Sequence, residues 1–129
     1  MFERRRPEPE WPVLDRAYLA RLDGHVGTVV LAELLADGLI ELTDRLTRLG
    51  ELAAAGDLGG VAQLGHDLVG MAGHLGLARL SVAAAEMNRA AQDANGAGAD
   101  PGPAIAETGR IGAESAEAIR RHLREISAR

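Results

Sequence analysis

Few groups in this chain are equipped for covalent chemistry. There is no cysteine, so there is no thiol nucleophile, thiolate metal site or disulfide framework. There is no lysine either, and all 14 Lys+Arg residues are arginine. The remaining nitrogen nucleophiles are four histidines: His25, His66, His74 and His122. Imidazole is well suited to the role because its neutral, nucleophilic form is available near neutral pH. Spacing separates the four. A helical metal pair needs ligands three or four residues apart, as in His-Glu-x-x-His. His66 and His74 do not meet this, and no carboxylate sits four residues from His66, so no metal site is expected. His25 reads as solvated in a loop broken by Gly24 and Gly27. His122, flanked at helical spacing by Ile119 and Ile126, reads as a core-edge histidine.

His66 stands apart. Residues 58–76 read LGGVAQLGHDLVGMAGHLG. At about 100° per residue, Val61, Leu64, Leu68, Met71 and Leu75 fall within about 40° of the direction opposite His66. They form the buried stripe, and His66 must face water. Its expected surface neighbours are Ala62, Gly70 and Gly73, all small, so the imidazole stands in a clearing. Leu58 and Val69 complete a candidate apolar docking patch. His74 lies about 80° further round the helix and flanks the same surface, as a rim contact, a cap or an alternative nucleophile. Glycine within a helix costs about 1 kcal/mol relative to alanine, so helix stability does not explain these choices. Close approach of another macromolecule to His66 does. Two plainer explanations compete: compositional bias toward Gly, Ala and Arg, and close helix packing. Gly70 and Gly73 lie on the wrong face for the latter.

The surrounding elements are helical. Residues 1–12, with charges and three prolines, read as a flexible N-terminal tail preceding a domain over 13–129. Asp15 can cap a short helix over 15–23. A long helix follows over 28–55, with Leu31, Leu35, Leu39, Leu42, Leu46 and Leu49 forming one apolar stripe. Gly56-Asp57 reads as a stop followed by a cap. The His66 helix runs to Leu75-Gly76, and another covers 78–94 with Leu80, Ala84, Met87 and Ala91 inward. Residues 95–103 (NGAGADPGP) read as a loop. A last helix spans 104–126, carrying Ile105, Ile111, Ile119, Leu123 and Ile126. The expectation is an all-α fold: an antiparallel up-down-up-down four-helix bundle with a short extra N-terminal helix.

Composition narrows the function. A chain of 129 residues at 47% hydrophobic content can build a core, and aromatics at only 2% suit Leu/Ala helix packing. The formal charge of −5 disfavours nucleic acid, despite Arg4-Arg5-Arg6. No apolar run approaches the roughly 20 residues of a membrane span, and nothing resembles a secretory signal, so a cytoplasmic protein is expected. No P-loop or kinase-like glycine loop is visible, so no ATP site is expected.

Gly65-His66-Asp67-Leu68-Val69-Gly70, followed by Leu75-Gly76, resembles the signature of histidine-phosphotransfer (HPt) domains. There the pattern is His, any residue, Leu, Lys, Gly, then small residues and Leu-Gly. Leu14-Asp15, Leu19, Leu22, Leu34-Leu35, Gly56-Asp57 and the Leu80 helix extend the similarity over about residues 13–125. The resemblance implies that His66 accepts a phosphoryl group from a receiver-domain aspartyl-phosphate and passes it to another receiver. The chain would be a phosphocarrier without its own cofactor, the receiver bringing Mg²⁺. Partners would be a response-regulator receiver or a hybrid histidine kinase, met by a monomer. One position departs: Val69 stands where the family has a Lys that helps neutralise the phosphoryl group. Arg45, Arg48 and Arg89, near the level of His66, are candidate substitutes. The alternative is an HPt-like module that docks a receiver or kinase without carrying phosphate.

Overall fold

Asp15 starts the first helix. Its carboxylate accepts the Tyr18 N–H at 3.0 Å, satisfying one of the N–H groups a helix start leaves unpaired. The computed structural model of the chain describes residues 11–96 and 100–129, and every regular element among them is an α-helix. These are α1 (Arg16–Val26), α2 (Thr28–Ala55), α3 (Leu58–His74), α4 (Ala78–Gly96) and α5 (Gly102–Ser127).

The punctuation follows backbone chemistry. Gly27 at φ 88° separates α1 from α2, and Gly56 at φ 70° closes α2 in the left-handed conformation that costs glycine least. Asp57 then caps α3 by accepting the Gly60 N–H at 2.9 Å. Gly24 does not break the chain as expected. It lies inside α1, which places His25 in that helix's last turn, exposed, with Nδ1 2.8 Å from the Arg21 carbonyl. The expected 95–103 loop is also shorter. α4 continues to Gly96 and α5 begins at Gly102, while residues 97–99 lie outside the described part. Pro103 fits the first turn of α5 because an N–H there has no intrahelical partner.

Residues 1–10 of the expected tail also lie outside the described residues, but Trp11 and Pro12 are held. Arg79 donates its Nε–H to the Trp11 carbonyl at 2.8 Å and its backbone N–H to the Pro12 carbonyl at 3.0 Å.

Leu31, Leu35, Leu42 and Leu49 of the α2 stripe are buried, with Leu39 and Leu46 partly so. Val61, Leu64, Leu68 and Leu75 meet them from α3. Leu80, Ala84, Met87 and Ala91 do so from α4, and Ile111, Ile119 and Ile126 from α5. Met71, expected in the α3 stripe, is only half-buried. α3 packs against α2 and α4, and α5 against α4 and α2. Where α2 meets α3, the Cβ position of Gly38 faces Leu75 and that of Gly60 faces Leu52, so the two chains run in opposite directions. Between α3 and α4, Ser81 Oγ donates to the Val69 carbonyl (3.2 Å) and Asn88 Nδ2 to the Ala62 carbonyl (2.6 Å), again in opposite directions.

The start of α1 is tied to the α3–α4 turn, the end of α3 and the last turns of α5. The Asp15 N–H donates to the Gly76 carbonyl (2.8 Å) and Tyr18 Oη to the His74 carbonyl (2.9 Å). Arg16 pairs with Glu125 of α5 at 3.0 Å.

Candidate functional site

α3 is organised around the helix period. The apolar residues on one side are consumed by the core, and His66 is exposed on the other, as the stripe requires. Among the described residues no hydrogen bond or ion pair involves its ring. Gly70 and Gly73 are exposed too, and a Cβ built on either meets nothing within 4 Å. The ring is therefore open along the C-terminal half of its helix.

On the other flank the clearing is narrower than expected. Ala62 is only 8% exposed, so it is part of the packed edge and not of the surface. It lies about 40° from His66 toward α4, and Asn88 closes over it through the bond to its carbonyl. Gly65 explains how α4 comes so near. An added Cβ there would stand 3.0 Å from the Ala84 carbonyl oxygen and 3.1 Å from Asn88 Cα and Cβ. Glycine is needed for packing at position 65 and leaves open space at 70 and 73. Val69 is half-buried against the core, its carbonyl held by Ser81, so it offers a partner only part of its surface. Leu58 is likewise half-buried.

His74 is exposed in the last turn of α3 and its carbonyl is held by Tyr18, so α1 fixes the helix end where that second imidazole sits. A cleft of about 270 Å³ opens on this side, lined by Trp11, Tyr18, Gly73, Leu77, Ser81 and Val82 among others. Gly73 links it to the surface carrying His66.

The three arginines separate by side. Interpolating between Gly38–Leu75 and Leu52–Gly60 puts Arg45 and Arg48 opposite residues 64–68, at the height of His66. The α2-facing residues of α3 are about 150° round the helix from His66, however, so both arginines border the opposite edge. Arg45 is also held by Glu41, through its carbonyl (3.4 Å) and its carboxylate (3.9 Å). Arg89 is exposed on α4, next in sequence to Asn88.

His122 contrasts with His66. It is 7% exposed, with Nδ1 3.5 Å from Arg16 Nη1 and 3.6 Å from Glu125 Oε1. Burial, and then the Arg16 charge, lower its pKa below the usual histidine value, so the neutral ring is favoured. That is the core-edge role expected of it. No group of three or more His, Asp or Glu that could hold a metal is found among the described residues. No helix among them is long and apolar enough to cross a membrane.

A family model described as the Hpt domain matches residues 33–129. This chain belongs to the Hpt domain family. Hpt domains are phosphocarrier modules of two-component phosphorelays, working with receiver domains and histidine kinases. The match starts within α2 and takes in all of α3 to α5, including His66. Neither the curated proteins nor the solved structures contain a match to the chain.

Sequence reading missed Asn88 and Ser81, the two side chains that lock α4 to the carbonyls flanking His66. Asn88 was findable as an amide beside the inward-facing Met87 and Ala91. Ser81 carried no signal, because nothing marks a serine that bonds to a neighbouring helix.

Proposed function

We propose that this Hpt protein carries a phosphoryl group on His66, taking it from the aspartyl-phosphate of one receiver domain and delivering it to another. The observation that carries this reading is the setting of His66. Its imidazole is exposed, outside any hydrogen bond among the described residues, and followed by two glycines whose Cβ positions are empty. A flat partner surface can come down to the ring there without meeting a side chain.

The step is a displacement at phosphorus. A ring nitrogen of neutral His66 attacks in line with the acyl-phosphate bond. The N–P bond forms as the O–P bond breaks, the aspartate leaves as carboxylate, and the ring loses its N–H proton to solvent. Return is the same path reversed. Phosphoryl transfer needs mainly positioning and charge neutralisation from protein. In this reading α3 supplies the nucleophile, the packed α3–α4 edge keeps it in place, and the receiver brings Mg²⁺ and the remaining groups. The protein works as a monomeric cytoplasmic carrier, with Gly70, Gly73, His74 and the exposed part of Val69 forming the docking face. The opposed pairings of α2 with α3 and α3 with α4 support an antiparallel up-and-down bundle as the scaffold.

Incubating the protein with a phosphorylated receiver tests this. Acid-labile label should appear on the wild type and be lost in His66→Gln. Val69 favours a second reading, a docking module without phosphate, since it removes a charge close to the acceptor. Receiver binding with no label on the wild type would establish that module instead.

A further inference from the structure

Phosphate on His66 would place negative charge on a surface that already holds some. Asp67 follows directly, and its carboxylate accepts Gln63 Nε2 at 3.2 Å on the same helix. Position 69, one turn on, is valine. A cation from this chain has to come from elsewhere, and most arginines among the described residues are committed. Arg79 is bonded to Trp11 and Pro12, and it lies about 180° round α4 from Asn88, on the side away from α3. Arg110, Arg120 and Arg124 pair with Glu107, Glu114 and Glu117 along α5, which does not pack on α3. Arg45 and Arg48 border the α2 edge, with the body of α3 between them and His66.

We infer that Arg89 of α4 is the charge-neutralising partner of a phosphoryl group on His66. This rests on the carrier reading above. Three observations place the two residues on one seam. The α4-facing residues of α3 are Ala62, Gly65 and Val69, centred about 65° round from His66, which stands on their solvent side. Asn88 points at α3 from α4, and Arg89 lies one residue, about 100°, further round on the side away from buried Ala84, Met87 and Ala91. Arg89 is exposed, and among the described residues it is in no ion pair. The pairings Ser81–Val69 and Asn88–Ala62 set Arg89 level with Val61, five residues from His66 or about 7.5 Å along the axis. Helical side chains tilt toward their own N-terminus. Because α3 and α4 run oppositely, His66 leans toward the level of Arg89 while Arg89 leans toward that of His66. The offset closes from both ends. A guanidinium also presents paired donors that match phosphoryl oxygens, and the long arginine stem leaves the docking face clear until phosphate arrives.

Phosphoramidate tests this without any partner protein. The imidazole displaces ammonia from phosphorus: the P–N bond of phosphoramidate breaks, an N–P bond to the ring forms, and ammonia leaves with the ring proton as ammonium. Labelling of the full-length protein at His66 is followed by ³¹P NMR at low and high salt. The expected result is a labelling rate about two- to fivefold lower in Arg89→Gln, the scale of one exposed charge pair. Arg89→Lys should retain most of the rate, Arg48→Gln should match wild type, and the Arg89 difference should shrink as salt screens it. A thermal midpoint unchanged in Arg89→Gln keeps folding out of the comparison. Wild-type labelling at an unchanged rate in Arg89→Gln, or the loss appearing in Arg48→Gln instead, overturns the assignment. Absence of label from wild-type His66 overturns the carrier reading itself, and the assignment with it.

Discussion

Gly65 and Gly70 lie five residues apart on α3 and meet opposite surroundings. At Gly65 the α4 backbone is so close that even a methyl group would press on the Ala84 carbonyl and on Asn88. At Gly70, and again at Gly73, the same methyl would meet nothing within 4 Å. One edge of the helix is glycine-dependent because two backbones need to touch. The open face keeps glycines that the fold does not use. His66 stands where these edges meet, so its helix is clamped from one side while its ring is clear on the other. Rigidity behind the ring and space in front of it are what the proposed transfer to an incoming protein would demand.

The contrast breaks first at Gly65. Gly65→Val should force α3 and α4 apart and cost about 1–3 kcal/mol of stability, read from urea or thermal unfolding. An unchanged midpoint would mean that the two helices are not packed as closely as Ala84 and Asn88 indicate. Gly70→Ala and Gly73→Ala should do the reverse. Each removes a flexible residue from a helix interior without a clash and should stabilise by up to about 1 kcal/mol. Loss of stability in either would show that the open face is covered in solution.

The smallest effect sharpens the comparison between the two histidines. His122 is held neutral chiefly by burial and then by Arg16, so its folded pKa lies below its unfolded one. The unfolded chain then binds more protons, so stability must rise with pH across this range. Its contribution is complete above the ordinary histidine value of about 6.5 and is lost as pH drops from there through the lowered folded value. Glu125, held low by its hydrogen bond from Arg16, adds a further loss at carboxylate pH. Unfolding midpoints across this range should show the first slope in wild type and not in His122→Leu.

Much of this was legible in the sequence because the leucine stripes are long and uninterrupted. The α2 boundaries were fixed by Gly27 and by Gly56-Asp57, and the position of His66 opposite Val61, Leu64 and Leu68 fixed its exposure. What escaped depended on neighbours. Ala62 reads as surface from its own helix, and only the arrival of α4 buries it. Gly24 has the residue type of a break, but α1 runs on through it to Gly27, whose positive φ marks the actual stop. Residues 95–103 look loop-like throughout, yet α4 runs on to Gly96 and α5 opens at Gly102, with Pro103 tolerated in its first turn. The side of α3 to which each arginine belongs also needed contacts that no periodicity within one helix contains.

The central claim is that position 66 takes the phosphate. Mapping acid-labile phosphate by mass spectrometry, after exposure to a phosphorylated receiver and digestion under alkaline conditions, tests it directly. The account predicts phosphate on His66 and none on His25, His74 or His122. Phosphate on His74, with His66 unmodified, would contradict it.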